Sequence, residues 1–214
     1  MSRIVVFGAA GKAGSRVVSE AAARGHEVTA VARDTARLGQ LPDGVRAVSG
    51  DVTDPGTVAR LAEDADALVL TVGGPEAALY TDAVATAAAA VRDLGPKGPR
   101  ILHMGGGASL LNGDGVRIFD SPRFPEEFKP YAIGQIQALD AYRALGDDVT
   151  WTYLSPPPVH FAPGERTGRY RTGLDHPVTG DDGQARVSYE DYAVALVDEI
   201  ETPRHLSRRF TIGY

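Results

Sequence analysis

The chain has 214 residues, of which 43% are hydrophobic, with a formal net charge of -6 and no cysteine. This length suits one domain with its own hydrophobic core. The absence of cysteine excludes disulfides, thiolate catalysis and Cys-ligated metals, and the negative charge leaves no basic surplus for nucleic acid. No apolar run reaches the length of a membrane span, and the first residues predict a strand instead of a signal peptide. We therefore expect a single cytoplasmic domain over residues 1–214, without nucleic-acid or membrane partners.

Strands and helices alternate through the first half of the chain. Short apolar runs predict five strands, over residues 4–7, 27–33, 45–49, 67–72 and 100–104. Helices are predicted between them, over residues 13–24, 35–38, 55–63 and 76–94. Strands that alternate with helices at this spacing form βαβ crossovers and a parallel sheet. The predicted fold class is therefore α/β, a Rossmann-type doubly wound parallel sheet.

The second half is less regular and predicts a small C-terminal extension on the substrate side. A long loop over residues 105–130 contains three successive glycines, and residues 156–188 predict turns with a small hairpin or excursion. Long loops in compact domains are usually functional or mobile. The remaining predicted elements are a helix over 131–145, a strand over 149–154, a helix from a capping box at Ser188 to about Glu201, and a strand over 208–212.

A glycine-rich turn, F-G-A-A-G-K-A-G, follows the first strand and opens the first helix. Its spacing is G-x-x-G-x-x-G, whereas most dinucleotide dehydrogenases have G-x-G-x-x-G. Gly8 would allow a tight turn, Gly11 would let the backbone approach a pyrophosphate, and Gly14 would let the helix pack closely on the strand. The free N–H groups at the helix start, near Lys12 and Ala13, would bind the phosphates. This context favours nucleotide binding over a purely structural turn.

The end of the second strand indicates which cofactor is bound. Asp34 lies about 20 residues after the glycine turn, where an acid would bind the adenosine ribose of NAD, but it also fits as a helix N-cap. The Arg33 guanidinium could pair with the 2′-phosphate of NADP, and Lys12 would add a second cation. The alternative for Arg33 is a solvated surface arginine. On this charge argument the sequence favours NADP over NAD.

Three further strand ends would face the same ligand, because ligands in this fold bind outside the carboxyl ends of the strands. Asp51 and Val52 could hold an adenine ring, although Asp51 could equally cap a helix. Residues 71–74 would let a ribose or phosphate approach the backbone, or would form only a tight turn. His103 stands near the expected nicotinamide and could donate a proton, although a lone strand histidine is more often a core residue.

Six motifs together carry a family resemblance that covers nearly the whole chain. With them the chain resembles the atypical short-chain dehydrogenase/reductase superfamily, in its branch of small NAD(P)H-binding proteins, NmrA-like or similar to flavin reductase/biliverdin reductase B. The motifs are F-G-A-A-G-K-A-G (7–14), V-A-R-D (31–34), G-D-V-T-D (50–54), S-P-P-P (155–158), T-G-R-Y (167–170) and S-Y-E-D-Y-A (188–193).

The resemblance implies a role for each matching position. The pyrophosphate would be held at the glycine turn with Lys12, and the 2′-phosphate at Arg33. The residues implied to surround the adenine, the adenosine ribose and the nicotinamide are, in turn, Asp51 with Val52, Val72 with Gly73, and Met104, Gly105, Pro156 and Pro157. The wall formed by the two prolines follows from the resemblance alone.

The chain departs from the superfamily at one catalytic position. Typical short-chain dehydrogenases carry Tyr-x-x-x-Lys after the fifth strand, whereas this chain has Tyr131-Ala-Ile-Gly-Gln135. Without the activating lysine, Tyr131 could donate a proton in a reduction but would be a poor base for alcohol oxidation. It could equally be an aromatic residue that packs under the loop. Ser109 and Tyr131 are the candidates for positioning a substrate or relaying a proton.

Three functions are compatible with these features. The favoured one is an oxidoreductase that transfers a hydride from NADPH to a small conjugated acceptor, such as a flavin, a quinone or an activated carbonyl or alkene. The alternatives are an NADP(H)-sensing regulatory protein and an isomerase or cyclase that reuses the fold. Metal-ligand spacing such as H-E-x-x-H and a G-x-S-x-G nucleophile elbow are both absent. We expect a small-molecule substrate, and the sequence leaves the oligomeric state open.

Overall fold

The computed structural model describes all residues from 1 to 214. The strands are β1 (Arg3–Phe7), β2 (Glu27–Ala32), β3 (Arg46–Ser49), β4 (Ala67–Leu70), β5 (Arg100–Met104), β6 (Trp151–Ser155), β7 (His160–Ala162), β8 (Arg171–Gly173), β9 (Arg186–Ser188) and β10 (Arg208–Gly213). The α-helices are α1 (Lys12–Ala23), α2 (Pro55–Ala62), α3 (Ala77–Leu94), α4 (Lys129–Arg143) and α5 (Tyr189–Glu201). The elements predicted in the first half of the chain are all present, and their ends differ by a residue or two.

Eight strands form one sheet in the order β3-β2-β1-β4-β5-β6-β10-β8. All neighbouring strands are parallel except β8, which is antiparallel to β10. The order reverses at β1, because the chain leaves β3 at one edge and returns as β4 on the other side of β1. Ligands of doubly wound sheets bind in the crevice at such a reversal. The predicted Rossmann-type fold is therefore confirmed, and it directs attention to the carboxyl end of β1.

Helices cover both faces of the sheet, so its central strands are buried on both sides. In β1, Val5 and Phe7 belong to one hydrophobic core, and Ile4 and Val6 belong to the other. Helices α2, α3 and α4 contribute to the first core, and α1 and α5 contribute to the second. Burial on two faces explains why these strands are continuous apolar runs without polar alternation. No helix is both long and apolar enough to cross a membrane.

The segment after β6 is an excursion, and the hairpin that was its predicted alternative is absent. β7 pairs in parallel with β9, and β8 adds to the edge of the main sheet beside β10. The chain between β7 and β8 is fastened to helices: Gly164 N–H donates to Glu190 (2.8 Å), and Arg166 pairs with Glu20 (2.7 Å). β7 and β8 thus pair with strands distant in the chain and not with each other.

Two helix starts follow from their capping residues. α4 begins at Lys129, earlier than predicted, because Pro130 needs no N–H partner in a first turn. α5 follows Ser188, whose hydroxyl accepts the N–H of Asp191 (3.0 Å). The predicted capping box is only half formed, since the Ser188 N–H donates to the Tyr214 hydroxyl (3.1 Å) and not to Asp191. The Asp191 carboxylate is left for contacts with the excursion.

Candidate cofactor site

The glycine turn between β1 and α1 is held against the end of β4. Gly8 has a φ of +77°, and a Cβ there would lie 2.6 Å from the Thr71 carbonyl oxygen. A Cβ on Gly14 would lie 2.3 Å from the Gly8 carbonyl oxygen. The Gly11 N–H donates to that same oxygen (2.9 Å) and closes the turn. Side chains are therefore excluded at Gly8 by backbone conformation and space, and at Gly14 by space alone.

The start of α1 leaves hydrogen-bond donors for a ligand. No side chain caps the helix at Gly11, so the N–H groups of its first turn have no side-chain partner. Gly11 and Lys12 are exposed, whereas Ala13 is buried against the sheet. Uncapped N–H groups and the positive end of the helix dipole form a binding site for phosphate groups. The cradle at the end of β1 thus fits the pyrophosphate of a dinucleotide.

A cleft of about 220 Å³ lies at the carboxyl ends of β1, β2, β3 and β4. It extends the glycine turn sideways towards β3, as an adenosine half of a dinucleotide would require. The structure brings together in this cleft seven residues that the sequence predicted for the cofactor: Gly8, Gly11, Arg33, Asp51, Val52, Val72 and Gly73. Lys12 does not line the cleft, although it follows Gly11 directly.

The end of β3 offers both an acceptor and an apolar wall. Val52 is buried, and Asp51 accepts the N–H (3.0 Å) and the hydroxyl (2.9 Å) of Thr53 through one carboxylate oxygen. The second oxygen of Asp51 makes no hydrogen bond within the protein. Asp51 does not cap α2, because Asp54 accepts the N–H of Thr57 (2.8 Å) in that role. The helix-cap alternative for Asp51 is therefore excluded, and its contact with adenine stays a prediction.

The end of β2 presents two arginines to the cleft. Arg33 and Arg37 both line it, and neither guanidinium makes a hydrogen bond or ion pair within the protein. Asp34 also lines the cleft, but it caps the short helical turn Thr35–Leu38 by accepting the Ala36 N–H (3.0 Å). Sequence reasoning missed Arg37. The signal for Arg37 in the sequence was its spacing from Arg33. A second arginine one helical turn after a strand-end arginine lies at the same edge of the sheet.

Three glycines bring the end of β5 against the chain that follows β6. A Cβ on Gly105 would lie 1.9 Å from the Tyr153 ring, and one on Gly106 would lie 2.9 Å from Gln135. A Cβ on Gly107 would lie 2.7 Å from the Pro156 carbonyl oxygen. The residues predicted to wall the nicotinamide are therefore gathered at the ends of two neighbouring strands: Met104, Gly105, Pro156 and Pro157.

Gln135 stands where the superfamily has its catalytic lysine, and it is buried. Its Nε2 donates to the Met104 carbonyl (3.1 Å), and its Oε1 accepts the Tyr153 hydroxyl (2.8 Å). The Gly106 N–H donates to the oxygen of that hydroxyl (3.1 Å), and burial raises the pKa of Tyr153 well above its usual range. The neutral amide thus connects β5 to β6 where a lysine would bring a charge.

Tyr131 lies in the first turn of α4. Its side chain is 44% exposed and its hydroxyl has no hydrogen-bond partner in the protein. Burial raises the pKa of the neighbouring Tyr80, and the proximity of Tyr131 adds to that rise. The Tyr80 hydroxyl donates to the Gly74 carbonyl (2.9 Å) and accepts the Gly74 N–H (3.1 Å). Tyr131 is therefore close to the end of β4 and open to a ligand.

In the structure, the side chains of Ser109 and His103 are enclosed within the protein and are not open to the site. Ser109 is buried, and its hydroxyl donates to the Gly106 carbonyl (3.2 Å) and accepts from Arg209 (3.3 Å). His103 is fully buried, hydrogen-bonded to the Tyr142 hydroxyl (3.2 Å), and burial lowers its pKa to about 4. A histidine that stays neutral and enclosed has no route for proton exchange with a ligand. The core alternative for His103 fits this structure, and Ser109 has a packing role.

The sheet order, the glycine turn and the adjoining cleft define a dinucleotide-binding protein of the Rossmann class. The chain belongs to the NAD(P)H-binding family, whose model matches residues 8–203. The atypical short-chain dehydrogenase/reductase resemblance inferred from the motifs is thereby confirmed at family level. The chain is therefore an NAD(P)H-binding domain, in a family whose relatives include reductases.

Three solved structures are similar to this chain over its full length. A "putative epimerase" from Bacteroides thetaiotaomicron is 33% identical, with 97% of that chain covered and a TM-score of 0.90. A "putative NADH-flavin reductase" from Streptococcus pneumoniae is 30% identical, with 99% covered and a TM-score of 0.87. A "putative exported protein" from Burkholderia pseudomallei is 34% identical, with all of that chain covered and a TM-score of 0.86.

Proposed function

We propose that this protein is an NADPH-dependent reductase whose acceptor is a small conjugated molecule, such as a flavin, a quinone or an activated carbonyl or alkene. The observation that carries the proposal is the cleft beside the glycine turn, with its two unpaired arginines. The name of the Streptococcus pneumoniae relative supports a reductase role. When bound, the nicotinamide would supply a hydride. The chain would orient it between the glycine turn and the wall of Met104 and Pro156.

The choice of NADPH rests on charge. Arg33 and Arg37 have no acidic partner, so a 2′-phosphate would meet two free guanidinium groups. A carboxylate suited to the ribose of NAD is less available, because Asp34 already accepts the Ala36 N–H. The Streptococcus pneumoniae relative is named for NADH, so cofactor preference is the point at which the two proteins are expected to differ.

Solvent can provide the proton in the proposed reaction, so no strong acid is required. A quinone that gains a hydride and one solvent proton becomes a quinol, and a flavin becomes its dihydro form. Tyr131, with its free and exposed hydroxyl, would donate a hydrogen bond or a proton to the acceptor. Gln135 is occupied by Met104 and Tyr153, so it cannot replace the missing lysine.

The test is cofactor oxidation by the purified protein across a panel of quinones, flavins, enones and aldehydes. We expect NADPH consumption with at least one acceptor. Replacing Arg33 or Arg37 by alanine should weaken NADPH binding by roughly tenfold and leave NADH binding unchanged, because one charge-assisted contact is lost. Arg208→Ala, at the opposite edge of the sheet, is the matched control. Equal effects on NADPH and NADH would contradict the 2′-phosphate assignment.

The second candidate function is an isomerase, which the name of the Bacteroides thetaiotaomicron relative favours. An isomerase would bind the cofactor without net consumption, so tight NADPH binding with no oxidation across the panel would support it over a reductase. A sensor would add a protein partner whose capture depends on NADP(H). The cytoplasmic location stays a prediction that cell fractionation tests, since the Burkholderia pseudomallei relative is named as exported.

A further inference from the structure

A second cleft, of about 430 Å³, lies between the two segments that the chain adds to the Rossmann core. One wall comes from the loop after β5 and the other from the excursion after β6. This volume is within the usual range for a small-molecule site. Its apolar lining consists of Leu111, Ile118, Pro158, Val159 and Pro177. We call it the extension cleft.

The extension cleft begins where the nicotinamide wall ends. Pro158 lines it, and Pro156 belongs to the wall. Gly107 contacts both, because a Cβ on Gly107 would lie 2.7 Å from the Pro156 carbonyl oxygen and 2.7 Å from the Pro158 Cα. A molecule in the extension cleft would therefore lie beside the short proline segment that also walls the nicotinamide.

The lining of the extension cleft carries no Asp, Glu, Lys or Arg. Its polar side chains are two neutral amides, a histidine and a threonine, Thr179, and they have unpaired donors. Asn112 accepts the N–H groups of Asp114 and Val116 through Oδ1 (both 3.0 Å), which leaves its amide nitrogen free. The side chains of His176 and Gln184 make no hydrogen bond within the protein. Such a surface hydrogen-bonds carbonyl and ring-nitrogen acceptors without providing a counter-ion.

The arginines that adjoin the lining in the chain are already engaged, because Arg117 pairs with Asp120 and Arg186 pairs with Asp182. Arg171 donates to the carbonyl oxygens of Thr179 and Tyr214, and it does not line the extension cleft. A phosphate group placed there would lose hydration without gaining a cation, and desolvating an unpaired charge is costly. The lining of the extension cleft therefore disfavours a phosphate.

We propose that the extension cleft binds the ring system of the acceptor and selects uncharged acceptors, namely quinones and unphosphorylated flavin rings, over phosphorylated flavins. The inference rests on the proposed reductase function and names its substrate class. In this reaction, the acceptor ring gains the hydride from the reduced nicotinamide and a proton from solvent.

The test compares riboflavin with flavin mononucleotide, which differ only in the 5′-phosphate. We expect kcat/KM to favour riboflavin by roughly tenfold, since the phosphate finds no cation in the cleft. Val159 is 75% exposed at the rim, so it tolerates substitution. Val159→Arg should shift the ratio of the two kcat/KM values severalfold towards flavin mononucleotide, and Val159→Glu should shift it towards riboflavin. Leu206→Arg, at the opposite end of the sheet, is the control and should change neither.

A binding measurement separates this inference from the reductase proposal. Quenching of riboflavin fluorescence is recorded with oxidised NADP present, so that no turnover occurs. Tighter binding of riboflavin than of flavin mononucleotide, in a ratio that the Val159 variants shift, would keep the extension cleft, and with no NADPH oxidation it would overturn the reductase. Turnover with equal use of both flavins and no effect of the Val159 variants would overturn the cleft and keep the reductase. Neither binding nor turnover with any acceptor would overturn both.

Discussion

At the scale of single residues, the shape of the site depends on glycines, which have no Cβ atom. The glycines at 105, 106 and 107 each face a different obstacle, namely the Tyr153 ring, the Gln135 side chain and the Pro156–Pro158 backbone. In the sequence, three successive glycines within a long loop predict a functional or mobile segment. In the structure, each glycine backbone packs closely against a neighbouring group, so these neighbours fix the conformation of the loop.

Gly105 provides a direct test of this fit. Gly105→Ala would place a Cβ 1.9 Å from the buried Tyr153 ring, so we expect the free energy of unfolding to fall by about 2 kcal/mol, as in overpacked cores. Gly113→Ala, on the same loop with nothing within 4 Å, is the matched control and should be near neutral. Chemical denaturation measures both. Equal stability of the two variants would contradict the packing account.

At the scale of elements, the excursion is attached to helices more than to the sheet. The buried Asp191 of α5 accepts the Gly168 N–H (2.7 Å), the Tyr214 hydroxyl (2.7 Å) and the Thr167 hydroxyl. This cluster joins the T-G-R-Y and S-Y-E-D-Y-A motifs, two of the six that carry the family resemblance. Because the carboxylate is enclosed, each hydrogen bond to it contributes more than an exposed ion pair would.

The Asp191 contacts predict a local effect on the excursion. Asp191→Asn replaces an acceptor oxygen by an NH2 group and removes the charge, so we expect a loss of about 1–3 kcal/mol in stability. Amide hydrogen exchange at Gly168 should accelerate, whereas exchange at Gly164, which donates to Glu190, should change less. Glu165→Gln, an exposed change in the same segment, is the control. Unchanged protection of Gly168 would contradict the role of Asp191.

At the scale of the whole molecule, the sheet places a histidine where water does not reach. His103 belongs to the central strand β5, its ring stacks on Tyr153 at a centroid distance of 5.2 Å, and none of it is exposed. Core strands open only at a free energy close to that of global unfolding. Protonation of His103 is therefore linked to global unfolding, because the unfolded chain binds the proton more readily than the folded one.

The linkage predicts a pH-dependent loss of stability in the acid range. Burial lowers the pKa of His103 to about 4, against an unfolded value of about 6.5. Stability is therefore full above pH of about 6.5 and falls as the pH drops towards the folded pKa. Between about pH 7 and pH 5 the native protein should lose about 2 kcal/mol more than His103→Gln, which cannot titrate. Parallel curves for the two proteins would contradict this assignment.

The fold class followed from the sequence because its cause is local and repetitive. Apolar runs of strand length, Ala-rich helices and glycine turns recur in βαβ order, and both faces of a parallel sheet need apolar residues. The turn at Gly8 and Gly14 was predictable for the same reason, since only glycine fits where a strand, a turn and a helix converge. The adenosine half of the candidate site followed from strand ends, including Arg33, Asp51 and Gly73.

The tertiary structure decided what depends on residues distant in the chain. Arg37 joins Arg33 only because a short helical turn folds back to the same edge. His103 and Ser109 were expected at the reacting end, but side-chain direction and the long-range partners Tyr142 and Arg209 turn them into the protein interior. The periodicity of the sequence specifies which face of a strand is apolar. Which residues pack on that face is determined by the tertiary fold, because those residues are distant in the chain.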